Sequence, residues 1–473
     1  MSVRYKPYLE YKPSGVEWLD KVPEGWVIGA IKRTANLQAG FAFQSKDFST
    51  SSGIPIVRMN NLSKGLLNLD SPVRVSDKLI RPEFYLNDKD IVLGMSGSIE
   101  NIARVQKFDL PCALNQRVGR FFVHTIDADF LWYIIQSREY KEQVFLSATG
   151  TAQLNISSEQ IESCVITWPE LLSEQRAIAS FLDRETEKID RMIGKQERMI
   201  ELLKEKRQAV ISHAVTKGLN PNVPMKDSGI EWLGEIPEHW DIRTISRSTT
   251  KITNGYVGPT RGILFENGVP YIQATHIKKG VVNFDDAYFV RKEWSNAHSK
   301  SILREGDVLI VQTGAGTGDV GLVSNNEEGY NCHALIILAP RKGVISGGFL
   351  SEVLQSHYGY SKLYSIRTGG MHPHLNCSEV QYVKVPVPPR YEQDAIMEFI
   401  KAETSKLDRL GAKAKQAIEL MKERRTALIS AAVTGKIDVR DEAECVNCEY
   451  DMDGEPALLA AEAQAEYRTG SKD

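Results

Sequence analysis

The sequence lacks the features that mark membrane-spanning, secreted and disulfide-stabilised proteins. None of its apolar runs reaches the roughly 18 residues that a membrane span requires. Residues 1–12 are polar and tyrosine-rich, unlike a signal peptide. Of its six cysteines, only Cys445 and Cys448 have metal-ligand spacing, and one such pair without a second is more typical of a flexible tail. We therefore expect a cytoplasmic protein with no membrane partner.

The sequence also has little net positive charge, and its formal net charge is −3. The charge is unevenly distributed, because residues 441–473 carry ten acidic and two basic side chains. The rest of the chain is therefore net positive. The composition of the full sequence, with 42% hydrophobic and 25% charged residues, is that of an ordinary globular protein. We expect an acidic, disordered tail at residues 437–473 behind a mildly basic body.

Motifs of nucleotide-dependent and metal-dependent catalysis are missing. The sequence contains no GxxxxGK[ST] loop, no HExxH and no zinc-type cluster of cysteine and histidine. Residues 388–391 (PPRY) only loosely resemble an adenine methyltransferase motif, and the glycine-rich residues 314–318 favour a turn between strands over a phosphate cradle. His333, His372 and His374 lack a fourth metal ligand at suitable spacing. We expect no catalytic residue, no metal and no cofactor bound by this chain.

What the chain does contain is an internal repeat. SGVEWL at residues 14–19, followed by VPEGW at 22–26, recurs as SGIEWL at 228–233, followed by IPEHW at 236–240. AVISHAVT at 209–216 recurs as ALISAAVT at 427–434. The sequences between these motifs share little identity. Repeated motifs with divergent sequence between them predict two domains that share a fold, which we call the frame, but differ in their surfaces.

Two long helices are predicted at residues 174–217 and 392–436. Apolar residues in both follow a heptad pattern, so each helix carries a seam that it cannot bury alone. The second helix begins where the second domain ends, and a compact domain keeps its ends close together. The two helices are therefore expected to pair antiparallel as a coiled coil. The seam residues are Leu182, Ile189, Ile193, Ile200, Leu203, Val210 and Ala214 in the first helix, and Ile400, Leu407, Ile418, Met421, Leu428 and Ala432 in the second.

The predicted fold class is α+β: two β-rich domains separated by two long antiparallel coiled-coil helices, with an internal pseudo-twofold repeat. Short apolar runs such as 54–58, 118–123 and 307–311 predict the strands, and shorter helices are predicted at 130–145 and 349–364. The expected boundaries are 1–26 for the N-terminal repeat segment, 27–173 for the first β-rich domain, 174–217 for the first long helix, 218–240 for the second repeat segment, 241–391 for the second β-rich domain, 392–436 for the second long helix and 437–473 for the tail.

Polar side chains suited to DNA binding are concentrated in the predicted loops of both β-rich domains. Amides and guanidinium groups can bind base edges, and hydroxyl groups can bind phosphate. Each single residue is more often a turn residue than a DNA contact, so only the concentration predicts a DNA surface. The candidates of the first domain are Arg58, Asn60, Asn61, Ser96, Ser98, Asn101, Asn115, Gln116, Arg117, Thr149, Thr151, Gln153 and Asn155. Those of the second are Gln273, Thr275, His276, Thr313, Thr317, Asn331, His333, Thr368, His372, His374 and Asn376.

Arg207 and Arg425 interrupt the two apolar seams at equivalent positions. A charge on a seam is typical of a register-setting contact or of a partner site, and we predict that both arginines dock a partner. The alternative is a surface arginine whose aliphatic part lies along the helix.

Up to about residue 440, the chain resembles the specificity subunits of type I restriction-modification systems. The resemblance is carried in both copies by SG[VI]EWL before PExW, by Thr-Gly at 149–150 and 368–369 before Leu-Asn, and by Glu-Gln at the start of each long helix. It implies two target-recognition domains that each read half of a split site in double-stranded DNA. It also implies that the helices set the spacing and dock two methyltransferase subunits.

In that family, the methyltransferase subunits hold S-adenosylmethionine, and restriction and translocase subunits use ATP and Mg²⁺. The resemblance transfers no catalytic residue to this chain, which is expected to be the non-catalytic subunit. Two alternatives remain open from the residues alone. One is a methyltransferase or endonuclease that acts by itself, which the missing motifs oppose. The other is a coiled-coil adaptor that binds no DNA, which leaves the two divergent domains without an explanation.

Overall fold

The computed structural model describes residues 5–443, except 64, 100, 151–153, 279, 285–287, 315 and 370–372. The chain divides into two compact units. Unit 1 combines residues up to Gly194 with residues from Ile418 onward, and unit 2 is Lys195–Ala417. The first residues of the predicted disordered tail are folded, because Val439 is buried in the core of unit 1 and Arg440–Ala443 is a helix. The sequence-based start of the tail at residue 437 was therefore wrong. The remainder of the tail, including Cys445 and Cys448, lies outside the described residues. No helix in the described part of the chain is long and apolar enough to cross a membrane.

Both long helices contribute to both units. The central helix is Leu172–Lys217, and the C-terminal helix is Arg390–Val433. In unit 1, Leu182 and Ile189 of the central helix share a core with Leu428 and Ala432 of the C-terminal helix. In unit 2, the late part of the central helix, with Ile211 and Ala214, shares a core with Ile396 and Ile400 from the early part of the C-terminal helix. Early residues of one helix thus pack with late residues of the other, so the pair is antiparallel.

Unit 1 is built around a four-stranded antiparallel sheet and a smaller three-stranded sheet. The larger sheet has the order Ile102–Arg104, Ile91–Gly94, Val118–Val123, Ala35–Ala39. The smaller has the order Ala113–Leu114, Ile54–Val57, Arg74–Val75. The other strands of unit 1 are Tyr11–Val16, Leu19–Pro23, Trp26–Ala30, Leu62–Ser63, Leu66–Leu67 and Val165–Pro169. Its shorter α-helices are Ala128–Ile134, Arg138–Ser147, Ser158–Ser163 and Arg440–Ala443.

Unit 2 repeats this plan with a larger sheet of six strands. Its order is Thr249–Asn254, Leu335–Pro340, Val308–Val311, Val320–Leu322, Gly280–Val282, Ile277–Lys278. The three-stranded sheet has the order Tyr288–Val290, Val269–Ile272, Asn331–Cys332. The remaining strands are Met225–Asp227, Glu235–Pro237, Asp241–Thr244 and Lys384–Val387. The shorter α-helices are Ile245–Ser248, Lys292–Ala297, Gly347–Gln355, His357–Ser365 and Cys377–Val380. The predicted α+β class with a repeated frame and two long antiparallel helices is confirmed.

The shorter helices predicted at 130–145 and 349–364 are each broken in two, at Ser137 and Ser356. Each serine hydroxyl accepts a hydrogen bond from a backbone N–H in the first turn of the following helix. A serine at an N-cap satisfies an amide that the helix itself leaves unpaired. The apolar spacing continues across the break, so periodicity alone predicted one helix instead of two.

The repeated Glu-Gln motif holds the same joint in both units. Glu174 accepts a hydrogen bond from the indole of Trp26, and Glu392 accepts one from Trp240. These bonds tie the start of each long helix to the PExW segment of the same unit. Since both indoles are almost fully buried, their N–H groups need a protein acceptor. The repeat in the sequence therefore preserves a buried polar contact as well as a helix.

Candidate nucleic-acid interface

Loops at the ends of several strands meet in unit 1 and bring many of the predicted residues together. The backbone N–H of Asn115 donates to Val57 O at 3.2 Å, next to Arg58. Further along, Met95 N donates to Arg117 O, and Ser96 forms a β-bridge with Asn155. We call this group the first loop cluster; it comprises the described residues of 58–61, 95–98, 115–117 and 149–155.

The hairpin at the edge of the first loop cluster is closed by two backbone hydrogen bonds. Thr149 and Asn155 each donate to the other's carbonyl at 2.8 Å. Gly150 has a φ of 106°, a region that side-chain-bearing residues rarely adopt. The predicted contacts Thr151 and Gln153 lie outside the described residues.

Unit 2 contains the equivalent second loop cluster, which comprises the described residues of 273–276, 312–317, 333–334 and 368–374. His333 N donates to Ile272 O at 2.8 Å, next to Gln273. Thr368 and His374 exchange two backbone hydrogen bonds, of 2.9 and 2.8 Å. Thr313 also forms a β-bridge with His374. His372 lies outside the described residues.

The two loop clusters have equivalent backbone positions, and at all but one of the matched positions named below the side chains differ. Asn115 and His333 both follow the strand that pairs in parallel with the centre of the three-stranded sheet. Asn155 and His374 both close the hairpin, and Ser96 and Thr313 both bridge to it. Arg58 and Gln273 both precede a short 3-10 helix. The position-matched pairs are Arg58 with Gln273, Asn60 with Thr275, Asn61 with His276, Ser96 with Thr313, Asn115 with His333, Thr149 with Thr368, and Asn155 with His374.

Most of the predicted residues keep their side chains partly or fully accessible. The exposed ones are Asn60, Ser98, Gln116, Arg117, Thr149 and Asn155 in the first loop cluster, and Thr275, Thr313 and Thr368 in the second. Arg58, Asn101, Gln273, His333, His374 and Asn376 are half-buried. Arginine, amides, imidazoles and hydroxyls at these positions form a polar surface that can hydrogen-bond to both base edges and phosphates.

Four predicted contacts are buried with side-chain atoms bonded inside the protein, and this corrects the sequence-based assignment. Asn61 accepts a hydrogen bond from Arg58 N and donates to Asn68 O, which consumes both ends of its amide. His276 takes the same capping position in unit 2 and accepts from Gln273 N at 2.9 Å. The remaining two residues are Thr317 and Asn331, at 1% and 0% exposure.

Thr317 donates to backbone carbonyls of its own loop and of the hairpin, at Gly314 and Pro373. Asn331 donates to the Ser301 hydroxyl at 2.8 Å. These side chains stabilise the loops from beneath instead of facing outward. Ser96 and Asn115 are also buried, at 3% and 8% exposure. Loop prediction cannot separate a supporting polar residue from an outward-facing one, because both occur in turns.

The two seam arginines form equivalent ion pairs across the antiparallel helices. In unit 1, Arg425 Nε lies 3.1 Å from Asp190 Oδ1, and its guanidinium also donates to Gln136. In unit 2, Arg207 Nε lies 3.7 Å from Asp408 Oδ1. Each arginine is thus half-exposed and already paired with a carboxylate of the other long helix. The ion pairs are consistent with a register-setting role, and whether the arginines dock a partner stays a prediction.

Two residues that matter for the loops were not among the candidates. Gln175 Oε1 accepts from Asp127 N at 2.7 Å, and Gln393 Oε1 accepts from Ser346 N at 2.8 Å. Each glutamine thereby links a long helix to the start of the shorter helices that lead into the hairpin. In the sequence, the recurrence of a glutamine directly after Glu174 and Glu392 could have marked these two residues as candidates. No group of three His, Cys, Asp or Glu side chains that could hold a metal occurs among the described residues.

Comparison with known proteins agrees with this architecture. The family model described as type I restriction modification DNA specificity domain matches residues 23–201 and 237–420. The EcoBI specificity subunit of Escherichia coli is 23% identical over 438 residues, which cover 91% of this chain and 90% of that protein. The MjaVIII specificity subunit of Methanocaldococcus jannaschii is 25% identical, with coverages of 77% and 83%.

A solved chain gives the corresponding result for the fold. It comes from a structure that describes complex assembly and conformational transition of the type I R-M system. The TM-score is 0.67 at 16% identity, and the match covers 88% of this chain and 99% of the other. With two copies of the family domain spanning most of its length, the chain belongs to the type I restriction-modification DNA specificity family and is a non-catalytic DNA-recognition subunit.

Proposed function

We propose that the chain reads a bipartite, asymmetric site in double-stranded DNA, with one half-site for each loop cluster. The observation that carries this proposal is the set of matched backbone positions with different side chains. Arg58 and Gln273, for example, occupy the same place in the two units but offer a guanidinium group and an amide. Base identity is read by side-chain hydrogen bonds. Two loop clusters with the same backbone arrangement but different side chains are therefore expected to read two different half-sites.

The side chains proposed to contact DNA are those of the two loop clusters that remain accessible. In the first these are Arg58, Asn60, Ser98, Gln116, Arg117, Thr149 and Asn155, and in the second Gln273, Thr275, Thr313, His333, Thr368 and His374. Thr151, Gln153 and His372 remain part of the proposal on sequence grounds. Arg117 is the strongest candidate of the first loop cluster, because an exposed guanidinium can bind guanine O6 and N7 together.

The partner subunits are proposed to supply the chemistry. The two long helices would dock two methyltransferase subunits, and restriction and translocase subunits would join the complex through them. S-adenosylmethionine, ATP and Mg²⁺ are then bound by those partners and not by this chain. We also propose that the complex works in the cytoplasm. Support for this division comes from the family membership and from the family's other specificity subunits.

A domain exchange tests the proposal. Residues 27–168 are replaced by the corresponding segment of a relative with a known site, and the chimera is expressed with the methyltransferase partner in cells without other modification systems. Methylome sequencing is expected to show one new half-site and one unchanged half-site. The reciprocal exchange of residues 241–388 serves as the control and should change the other half. A chimera in which both half-sites change would contradict independent reading.

A further inference from the structure

His333 of the second loop cluster has one ring nitrogen bonded inside the protein. Its Nδ1 lies 3.0 Å from the hydroxyl oxygen of Tyr271. Tyr271 lies in a strand that pairs in parallel with Asn331–Cys332, and His333 directly follows that second strand. Among the residues that the structure describes, none is in hydrogen-bond contact with His333 Nε2. The ring is half-buried, so this second nitrogen is the one left for an outside partner.

The direction of the hydrogen bond follows from the burial of Tyr271. Its side chain is 0% exposed, and His333 Nδ1 is the one hydrogen-bond partner that its hydroxyl has in the described part of the chain. If Nδ1 carried the proton and donated, the tyrosine O–H would be buried without an acceptor. A buried O–H group without an acceptor costs free energy, whereas an oxygen lone pair without a donor is tolerated. Tyr271 therefore donates to Nδ1, and the proton of the neutral imidazole sits on Nε2.

Other aromatic side chains hold this arrangement in place. The Trp294 ring packs edge-on against Tyr271, with centroids 5.7 Å apart, and Tyr256 lies against both Trp294 and His333. Burial lowers the pKa of the His333 imidazole, which favours its neutral form. A neutral ring with a fixed tautomer presents a single donor and no acceptor at Nε2.

The matched positions of unit 1 show that the fold does not itself require this pair. Ile56 occupies the place of Tyr271, since it pairs with Ala113 as Tyr271 pairs with Asn331. Asn115 occupies the place of His333, and Phe41 that of Tyr256. An isoleucine therefore satisfies the packing at the sheet position where unit 2 has a phenol. The hydroxyl of Tyr271 therefore hydrogen-bonds to His333 and is not required for packing of the sheet.

We propose that His333 is a specificity-determining residue, which donates one hydrogen bond from Nε2 to an acceptor on a base edge of the second half-site, and that Tyr271 is the positioning residue that fixes this donor. The proposal rests on the proposed function. A donor selects guanine O6 or N7, adenine N7 or thymine O4, and it rejects the amino groups of cytosine and adenine. A phosphate oxygen is also an acceptor, so the test must separate a base contact from a backbone contact.

The experiment uses the full chain assembled with its methyltransferase subunits, and duplexes that carry the site found by methylome sequencing. Each base pair of the second half-site is substituted in turn, and purines are also replaced by 7-deazapurines, which lack the N7 acceptor. The variants are His333→Ala and His333→Gln, which retains an N–H donor. His357→Ala, an exposed histidine of the same unit, is the control.

At one base pair, substitution is expected to weaken wild-type binding by about three- to tenfold, the size of one hydrogen bond. The His333→Ala complex should bind the original and the substituted site within about twofold of each other, and His333→Gln should recover part of the preference. If His333→Ala weakens binding to every duplex equally, the contact is to phosphate and the proposal is overturned. If its base preferences match wild type, His333 does not read the site.

The positioning role has a separate readout. In chain labelled with ¹⁵N-histidine, the His333 resonances should show a proton on Nε2, and Tyr271→Phe should shift the ring toward a mixture of tautomers. Tyr358→Phe, which removes another buried hydroxyl of unit 2, should leave these resonances unchanged. An Nδ1-protonated ring in the wild-type chain would refute the inference. By contrast, a wild-type complex without any base preference in the second half-site would refute the proposed function, and the base contact with it.

Discussion

At the residue scale, the polar contacts that carry the loops are made by glutamines of the long helices. Gln393 is 0% exposed, and its side chain bonds three backbone groups, at Ser346, Val344 and Pro388. Gln175 makes the equivalent contacts to Asp127 and Pro169 in unit 1. A buried backbone group without a hydrogen-bond partner raises the free energy of the folded state. By pairing such groups, these glutamines stabilise the joint between helix and loop.

We expect Gln393→Ala to lower the free energy of unfolding of unit 2 by about 2 kcal/mol, since it leaves an amide and two carbonyls unpaired. Hydrogen exchange followed by mass spectrometry should show faster exchange at the amide of Ser346. Gln416→Ala, at an exposed position of the same helix, is the matched control and should change neither quantity. Unchanged protection at Ser346 would mean that the glutamine is dispensable.

The candidate contacts show how far residue types alone can be interpreted. Polar residues in turns were correctly expected near strand ends, because glycine, asparagine and serine punctuate the apolar runs. Their direction was not predictable: Asn60 is exposed while Asn61, its neighbour, is buried and caps the preceding backbone. The partner of Asn61, the carbonyl of Asn68, lies directly after the strand Leu66–Leu67. Only the folded chain brings the two together.

At the element scale, the antiparallel helix pair is held by matched charges as well as by its apolar seam. Arg425 with Asp190 and Arg207 with Asp408 place a basic group of one helix against an acidic group of the other. Exposed ion pairs of this kind contribute about 0.2–1 kcal/mol, less than the buried seam. We therefore predict that they act mainly on helix register and, if the arginines dock a partner, on that surface.

Exchanging the charges separates these two effects. Arg425→Asp alone should destabilise unit 1, because it places two carboxylates together, and adding Asp190→Arg should restore the thermal midpoint. If Arg425 and Arg207 also dock a partner, the chain with both pairs exchanged will be stable but will co-purify less methyltransferase subunit. The single variant Arg198→Asp, at an exposed position of the central helix, controls for a general change of charge. Equal assembly of the exchanged chain would restrict the arginines to helix register.

At the scale of the whole molecule, both long helices contribute a part to each unit. The interval from Asp190 to Arg207 on the central helix equals the interval from Asp408 to Arg425 on the C-terminal helix. A single antiparallel register therefore satisfies both ion pairs. Since each unit carries one loop cluster, helix length is our proposed determinant of the gap between half-sites.

Inserting one heptad after Gln196 and one after Ile418 preserves the apolar seam and lengthens each helix by roughly 10 Å at about 1.5 Å per residue. The recognised half-sites should be unchanged, and their gap should grow by at most about three base pairs at about 3.4 Å each. Methylome sequencing measures the gap directly. An insertion of two residues at the same positions is the control, because at about 100° per residue it turns the following part of the seam to nearly the opposite side of the helix and should prevent assembly. A heptad variant that assembles and methylates with the original gap would exclude helix length as the determinant.

The sequence by itself determined the repeat, the α+β class and the two long helices, because a duplicated motif and a heptad seam are local patterns that survive without knowledge of contacts. It also identified the family through motifs such as SGVEWL and PExW. The boundaries inside the shorter helices, the inward direction of Asn61 and His276, and the ion pairs of Arg207 and Arg425 were decided by the tertiary structure. So was the proton position on His333, which depends on Tyr271 across a pair of strands 62 residues apart in sequence. Periodicity records which side of an element is buried, but it does not record which polar group on another element completes a hydrogen bond.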